Sequence, residues 1–381
     1  MAGAMTPEDD LDRLVAELDT GRLGPADGGT KLDLWLGVMA ERGASDLLLL
    51  AGEPPALRLN GRVVRAEGTV LDGQDVEDMV LPLLPGHAQR RYRDAGSVDA
   101  ARRLAGLGRF RIHLHRERGR AAAVVRMLPT AVPSLASLDL PAGTEALSRL
   151  ARGLVIIGGA TGSGKTTTAA ALVDEINRRD AKHIITIEDP IEYEHANHKS
   201  VVQQIEIGGD APDFPAALRS ALRQSPDVIV VGEMRDPETM RIALAAGETG
   251  HLVLSTLHTT DVSSTIARMT DSFPAERQPT IRQEIAAALS AVFVQTLLPR
   301  TNGGRVPAAE LLVVGYGARQ HVRRNALHHL HQEITITRKQ GSFSLEECLA
   351  RLVKAGLADR AEALLRANHP EDFAQALTQL G

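Results

Sequence analysis

Cysteine is nearly absent from this chain: Cys348 is the only one in 381 residues. One thiol builds neither an intrachain disulfide framework nor a four-cysteine zinc site, which fits a reducing compartment. Aromatic residues make up only 3%, and the lone Trp and few Tyr form no cluster on which bases could stack. No run approaches the ~18 consecutive apolar residues of a membrane-spanning helix. The opening "MAGAMTPEDDLDRLVAELD" is acidic and lacks the apolar centre of a secretory signal. A basic excess is missing too: a net charge of −5 sets up no field that would draw the whole chain onto nucleic acid. These absences lead us to expect a cytoplasmic protein with no transmembrane segment and no direct nucleic-acid partner. What remains is 43% hydrophobic and 24% charged, the balance of a globular protein with room for two full cores.

Residues 1–30 read as an acidic, flexible segment with a short amphipathic helix, ending in the Gly/Pro-rich tether "GRLGPADGGT". From 31 to 130 the pattern is mixed α/β. "KLDLWLGVMAERG" has helical spacing, whereas "SDLLLL", "ALRLNGRVV", "RFRIHLH" and "AAAVVRML" read as strands. Three prolines within 129–143 interrupt every period, so a linker is expected over 131–143 and a second domain over 144–381. There, short apolar runs ("GLVIIGG", "HIITIEDP", "DVIVVGE", "HLVLSTLH", "AELLVV") alternate with helical stretches, the pattern of a parallel sheet covered on both faces. "IRQEIAAALSAVFVQTLLP" reads as one long buried helix stopped by Pro299, and the chain from about 315 to 381 reads as mostly helical.

The chemistry concentrates in "GATGSGKT", which fits the phosphate-loop pattern of Gly, four residues, then Gly-Lys-Ser/Thr. Its glycines let successive N–H groups converge on one phosphate, and the helix that follows adds its positive end. Gly159, Ala160, Thr161, Gly162, Ser163, Gly164, Lys165, Thr166 and Thr167 are therefore candidates for binding ATP. Lys165 would reach the β- and γ-phosphates, and the Thr166 hydroxyl would bind Mg²⁺. Chance matches to the bare pattern rarely have an apolar strand before them and a helix after.

Such a loop needs carboxylates near its metal. "PDVIVVGEMRD" offers Glu233 just past an apolar strand, and "HIITIEDPIEYEH" offers Glu188 and Asp189 where another strand stops. Ligands gather outside the carboxyl ends of strands in open parallel sheets, so these groups face the phosphates. One carboxylate would complete the metal shell, to which Thr166, Glu233 and Asp189 are assigned, while Glu188 or Glu233 orients the attacking water. Asp227, at the other end of its strand, reads as turn chemistry; Glu192, Glu194 and Asp236 read as surface charge. Two histidines flank "LVLSTL", and seven strand steps put His251 and His258 roughly 20 Å apart. They cannot share a phosphate. His258, at the carboxyl end, is the candidate to hydrogen-bond the γ-phosphate or a catalytic carboxylate. His251, on the opposite rim, has a structural or intersubunit task.

Together, "GATGSGKTTT", "TIEDPIE", "SPDVIVVGEMRD" and "ETGHLVLSTLHTT", in this order and spacing, resemble the secretion-type hexameric ATPases, and among them the PilT-type twitching-motility motors. The likeness covers about 44–360. It implies a PAS-like N-terminal α/β domain, a RecA-like ATPase domain with a helical C-terminal region, and a homohexamer with ATP between subunits. It also implies that Arg111 and Arg126 close over the nucleotide and offer positive charge to the γ-phosphoryl group. The implied activity is Mg²⁺-dependent ATP hydrolysis powering type IV pilus retraction. It would act at the cytoplasmic face of the inner membrane through a platform protein, with a sister pilus ATPase as a further partner.

Two departures stand out. Leu48 replaces the histidine of the family's Ser-Asp-Leu-His-Leu stretch. "GARQHVRRN" keeps Arg319 and Arg323 of the retraction motif Ala-Ile-Arg-Asn-Leu-Ile-Arg, but has His-Val in place of its Leu-Ile pair. An accessory pilus ATPase, or an assembly or secretion motor of the family, is thus an alternative, although one cysteine cannot build the zinc element usual in assembly and secretion relatives. A nucleic-acid translocase and a non-hydrolysing regulatory subunit are the remaining readings.

Overall fold

A computed structural model describes residues 30–380 except 60 and 67. The acidic segment expected over 1–30 therefore lies, apart from Thr30, outside the described residues. The chain divides into two units, Met1–Thr130 with Pro190–Glu192, and Ala131–Asp189 with Tyr193–Gly381.

The first unit begins with α1 (Lys31–Glu41), whose N-terminus is closed by reciprocal bonds between Thr30 and Asp33. There follow β1 (Asp46–Leu49), β2 (Ala56–Leu59), β3 (Arg62–Arg65), α2 (Gly73–Val80), α3 (Gly86–Ala95), β4 (Ser97–Leu104), β5 (Gly108–Glu117) and β6 (Arg120–Leu128). The six strands form one antiparallel sheet in the order β3-β2-β1-β6-β5-β4. Strict alternation in β5 explains its two faces. Phe110, Ile112 and Leu114 pack in one core with Leu36, Val76 and Tyr92 from the three helices, leaving Arg109, Arg111, His113 and His115 on the opposite face.

The second unit runs β7 (Gly153–Gly158), α4 (Lys165–Arg179), β8 (His183–Glu188), β9 (Val201–Glu206), α5 (Phe214–Ala221), β10 (Val228–Val231), α6 (Pro237–Glu248), β11 (Leu252–Leu257), α7 (Val262–Asp271), α8 (Gln278–Ala288), β12 (Leu289–Pro299) and β13 (Arg305–Val313). Its seven-stranded sheet has the order β13-β12-β7-β11-β10-β8-β9, parallel throughout except for the β12–β13 pair. Alternate residues of β7 enter different cores: Leu154 and Ile156 pack with α5 to α8, Val155 and Ile157 with α4. That two-sided burial is why these strands read as unbroken apolar runs. Helices α9 (Tyr316–Arg323), α10 (Leu330–Ile336), α11 (Leu345–Lys354), α12 (Arg360–Leu364) and α13 (Pro370–Gln379) complete the unit. A small separate core joins Leu349 and Phe373 to Leu298 and Val306 at the ends of β12 and β13.

The long helix expected over 281–299 is corrected by this structure. Helix α8 ends at Ala288 and the chain continues as the strand β12. An apolar run buried on both faces has no diagnostic period, but Val292, Phe293, Val294 and Thr296 favour an extended backbone over a helical one. "ALRLNGRVV", expected as one strand, is the β2–β3 hairpin, and β4, β9, α2 and α3 lay outside the sequence reading.

Candidate functional site

The glycine-rich loop joins β7 to α4 at the carboxyl edge of the parallel sheet. Gly164 has φ of +90°, and a Cβ there would lie 2.9 Å from Gln295 Nε2, so the turn into α4 takes glycine for both reasons. The loop delivers the chain into the first turn of α4, where helical N–H groups have no intrahelical acceptor and face an incoming anion. Lys165 is buried, and its ammonium donates to the carbonyls of Gly159 at 2.8 Å and Ala160 at 3.0 Å. The Thr167 hydroxyl lies 3.0 Å from Tyr193 Oη, while Thr166 stands half-buried beside it.

His258, just past β11, joins this loop to the acidic strand end. Its Nδ1 is 3.3 Å from Lys165 Nζ and 3.5 Å from Thr161 Oγ1, and its Nε2 is 3.3 Å from Glu233 Oε1. An ammonium only donates, so Nδ1 accepts and the ring carries its proton on Nε2, directed at the carboxylate. The imidazole thus spans the lysine and the acid. Arg235 Nε holds the other oxygen of Glu233 at 2.8 Å. Glu233 is placed by the end of β10, which Ser255 and Thr256 of β11 fix through hydroxyl bonds to the carbonyls of Val231 and Gly232.

Glu188 ends β8; its Oε1 accepts from the Thr186 hydroxyl at 2.7 Å and from Gln204 Nε2 at 3.3 Å. The next residue, Asp189, is exposed. In the first unit, Arg111 and Arg126 are direct cross-strand partners on β5 and β6. Each like charge is offset by its own acid: Arg111 Nε donates to Asp99 at 3.0 Å and Arg126 Nε to Asp46 at 2.8 Å. Burial alone would raise the Asp46 carboxyl, but hydrogen bonds from Arg126 and Ser45 and the charges of Arg126 and Arg58 hold it below its ordinary value. Three further residues have local tasks. His251 Nδ1 lies 3.1 Å from the Ala246 carbonyl, and Asp227 accepts from the His183 N–H at 2.8 Å. Asp236, expected as surface charge, caps α6 by accepting from the Thr239 N–H.

Gln295 carries no sequence motif and sits in the strand that the apolar run 289–299 forms in place of the expected helix. From the buried middle of β12, its Nε2 donates to the Ser163 carbonyl and its Oε1 accepts from the Thr168 hydroxyl at 2.7 Å. A lone amide in an otherwise apolar run, "AVFVQTLL", is the signal that could have singled it out, since buried amides need partners.

A parallel sheet with this loop between a central strand and its helix, acids on neighbouring strand ends and a histidine between them, defines a P-loop nucleotide-binding protein of RecA-like architecture. The chain belongs to the Type II/IV secretion system protein family, whose pattern matches residues 120–353, in agreement with the resemblance carried by the four boxes. It is 39% identical over 338 residues to the type IV pilus retraction ATPase PilT of Pseudomonas aeruginosa, covering 89% of this chain and 98% of that one. With the type IV pilus ATPase PilU of the same organism it shares 36% identity over 339 residues, 89% of each. The crystal structure of the pilus retraction motor PilT with bound ADP superposes with a TM-score of 0.82 at 37% identity, covering 91% of this chain and 99% of that one. Among the described residues, no helix is long and apolar enough to cross a membrane.

Proposed function

We propose that this protein hydrolyses ATP, with Mg²⁺, as a homohexameric motor that powers type IV pilus retraction. The observation that carries the reading is the His258 imidazole set between Lys165 of the phosphate loop and the Glu233 carboxylate. Such a bridge lets the presence of a γ-phosphate at the lysine be felt at the acid that would orient water. Entry of the phosphate would draw Lys165 from the Gly159 and Ala160 carbonyls, leaving the His258 Nδ1 lone pair to a new donor. Arg111 and Arg126 would supply the positive charge that offsets what develops on the transferred group.

The donor set fits the metal. Thr166, Glu233 and Asp189 offer only hard oxygens, as Mg²⁺ requires. Mg²⁺ typically takes only one or two protein carboxylates and fills the rest of its shell from phosphates and water. When bound, it would neutralise charge between the β- and γ-phosphates. Thr166 would hold it at the helix, Glu233 and Asp189 would flank it, and Glu188 or Glu233 would orient the water.

A polytopic platform protein at the cytoplasmic face of the inner membrane would receive the motion. An accessory role beside a sister ATPase is the second reading, supported by the altered "GARQHVRRN". Arg319 of that stretch is turned onto the Ala286 and Ala287 carbonyls at the end of α8, which ties it to the ATPase unit itself. Deleting the gene and counting surface pili tests both. Hyperpiliated, non-motile cells mean retraction; bald cells mean assembly; normal piliation with motility lost only when the sister ATPase is also weakened means the accessory role.

A further inference from the structure

The loop that carries His258 is only four residues long, 258–261, between the end of β11 and the start of α7. At one end the Thr259 hydroxyl is 2.7 Å from that of Thr265, and a Cβ added at Gly158, the residue before the phosphate loop, would lie 2.6 Å from Thr259 Oγ1. At the other end Asp261 and Ser264 form a capping box that closes α7 on itself. What ties the start of α7 to the sheet is Glu310, 5% exposed on β13, whose Oε1 accepts from the Val262 N–H at 2.6 Å.

We propose that Glu310 is a positioning residue for ATP hydrolysis, fixing the first turn of α7 so that the His258 imidazole stays between Lys165 and Glu233. The inference rests on the role given to His258 above. With Thr259 wedged against Gly158, a loop this short has little slack, and moving Val262 moves His258. Carboxyl chemistry is an odd choice for a buried tether, since Asp261 and Glu346 stand close by. Burial pushes the Glu310 carboxyl up to about 8, with those acids adding to the effect against the opposing Val262 bond, so at neutral pH it is held as the acid. What the tether uses is an acceptor oxygen at this reach, not a charge.

That distinction sets the test. Glu310→Gln keeps an acceptor at the same reach, Glu310→Asp keeps the acid but shortens it by one methylene, and Glu310→Met keeps the shape without the oxygen. Turnover and equilibrium binding of a fluorescent ATP analogue are measured for each, with His258→Ala alongside. We expect Gln within about twofold of wild type, and Asp and Met slowed in kcat by on the order of tenfold or more, with nucleotide affinity nearly unchanged, as for an effect confined to the transition state. Wild-type kcat in Asp would overturn the proposal, as would equal losses in Gln and Asp; the Gln–Asp contrast decides even if Met does not fold. If His258→Ala itself turns over normally, the reading of the site fails. If it is slow while Asp is fast, only the positioning role fails.

Discussion

Gln295 and Ser163 are 132 residues apart in sequence, yet the side-chain amide of one donates to the main-chain carbonyl of the other at 2.5 Å. The same amide takes the Thr168 hydroxyl with its oxygen. One side chain from β12 thereby grips the phosphate loop on one side of Lys165 and the first turn of α4 on the other. A loop rich in glycine has wide conformational freedom, and its anion-binding shape is worth most when held in place beforehand.

Gln295→Leu should therefore weaken nucleotide binding. It leaves the Ser163 carbonyl and the Thr168 hydroxyl buried without these partners, a cost of about 1–3 kcal/mol each. We expect a lower melting temperature and roughly tenfold weaker binding of ATP analogues, in keeping with the loss of one to two such bonds. Lower thermal stability with wild-type affinity would make Gln295 a core residue and nothing more.

Lys165 and Glu233 should separate binding from chemistry. Lys165→Ala removes the ammonium that faces both the loop carbonyls and His258, and turnover should vanish; activity like wild type would exclude the phosphate-loop assignment. Glu233→Gln keeps an oxygen for His258 Nε2–H but removes the carboxylate. It should bind ATP normally and hydrolyse it about 100-fold or more slowly, the scale of losing a general base. Lost binding would instead mark Glu233 as structural.

The phosphate loop and both acidic strand ends were legible because each is written in a short contiguous stretch, with the strand before it and the turn within it. The His258 contact with Glu233 was legible as one of two options, since position at a strand's carboxyl end fixes the rim but not the partner. What escaped was non-local. Val292 to Thr296 carry no period to separate strand from helix when both faces are buried, so β12 and Gln295 were lost together. The acids that hold Arg111 and Arg126 are brought there by strand register, with Asp46 opposite Arg126 although 80 residues away. Glu310 gave no sign in "RVPAAELLVV" of the helix end it would meet.

Arg126 tests the proposed cationic contribution, and the Asp46 pair complicates the choice of conditions. Removing Arg126 leaves buried Asp46 with Arg58, 3.3 Å away, and Ser45. Because the Asp46 carboxyl lies below its ordinary 3.8 in the folded state, the stability from its partners is present above that value and lost as pH falls through the depressed one. The drop in melting temperature caused by Arg126→Ala should thus be largest at neutral pH and fade in strong acid. Hydrolysis by the folded variant at neutral pH should fall on the order of 10³-fold, the lower end for a charge-stabilising arginine. An unchanged rate would remove Arg126 from the site.

Glu310 makes an independent prediction about stability. Its carboxyl is pushed up to about 8 from an ordinary 4.5 by burial, with Asp261 and Glu346 reinforcing the shift and the Val262 N–H opposing it. Between those two values the folded state keeps a proton that the unfolded chain has released. The native state then binds more protons, and stability falls as pH rises through this window. A glutamine side chain has no proton to release, so Glu310→Gln lacks this slope while sharing every other titration with wild type. Thermal melts of the pair from about pH 5 to about pH 9 should show the variant gaining on wild type as pH rises, with the difference levelling once the folded carboxyl ionises. A difference that stays flat across that range would mean Glu310 is already ionised in the folded protein, and the neutral tether between β13 and α7 would have to be abandoned.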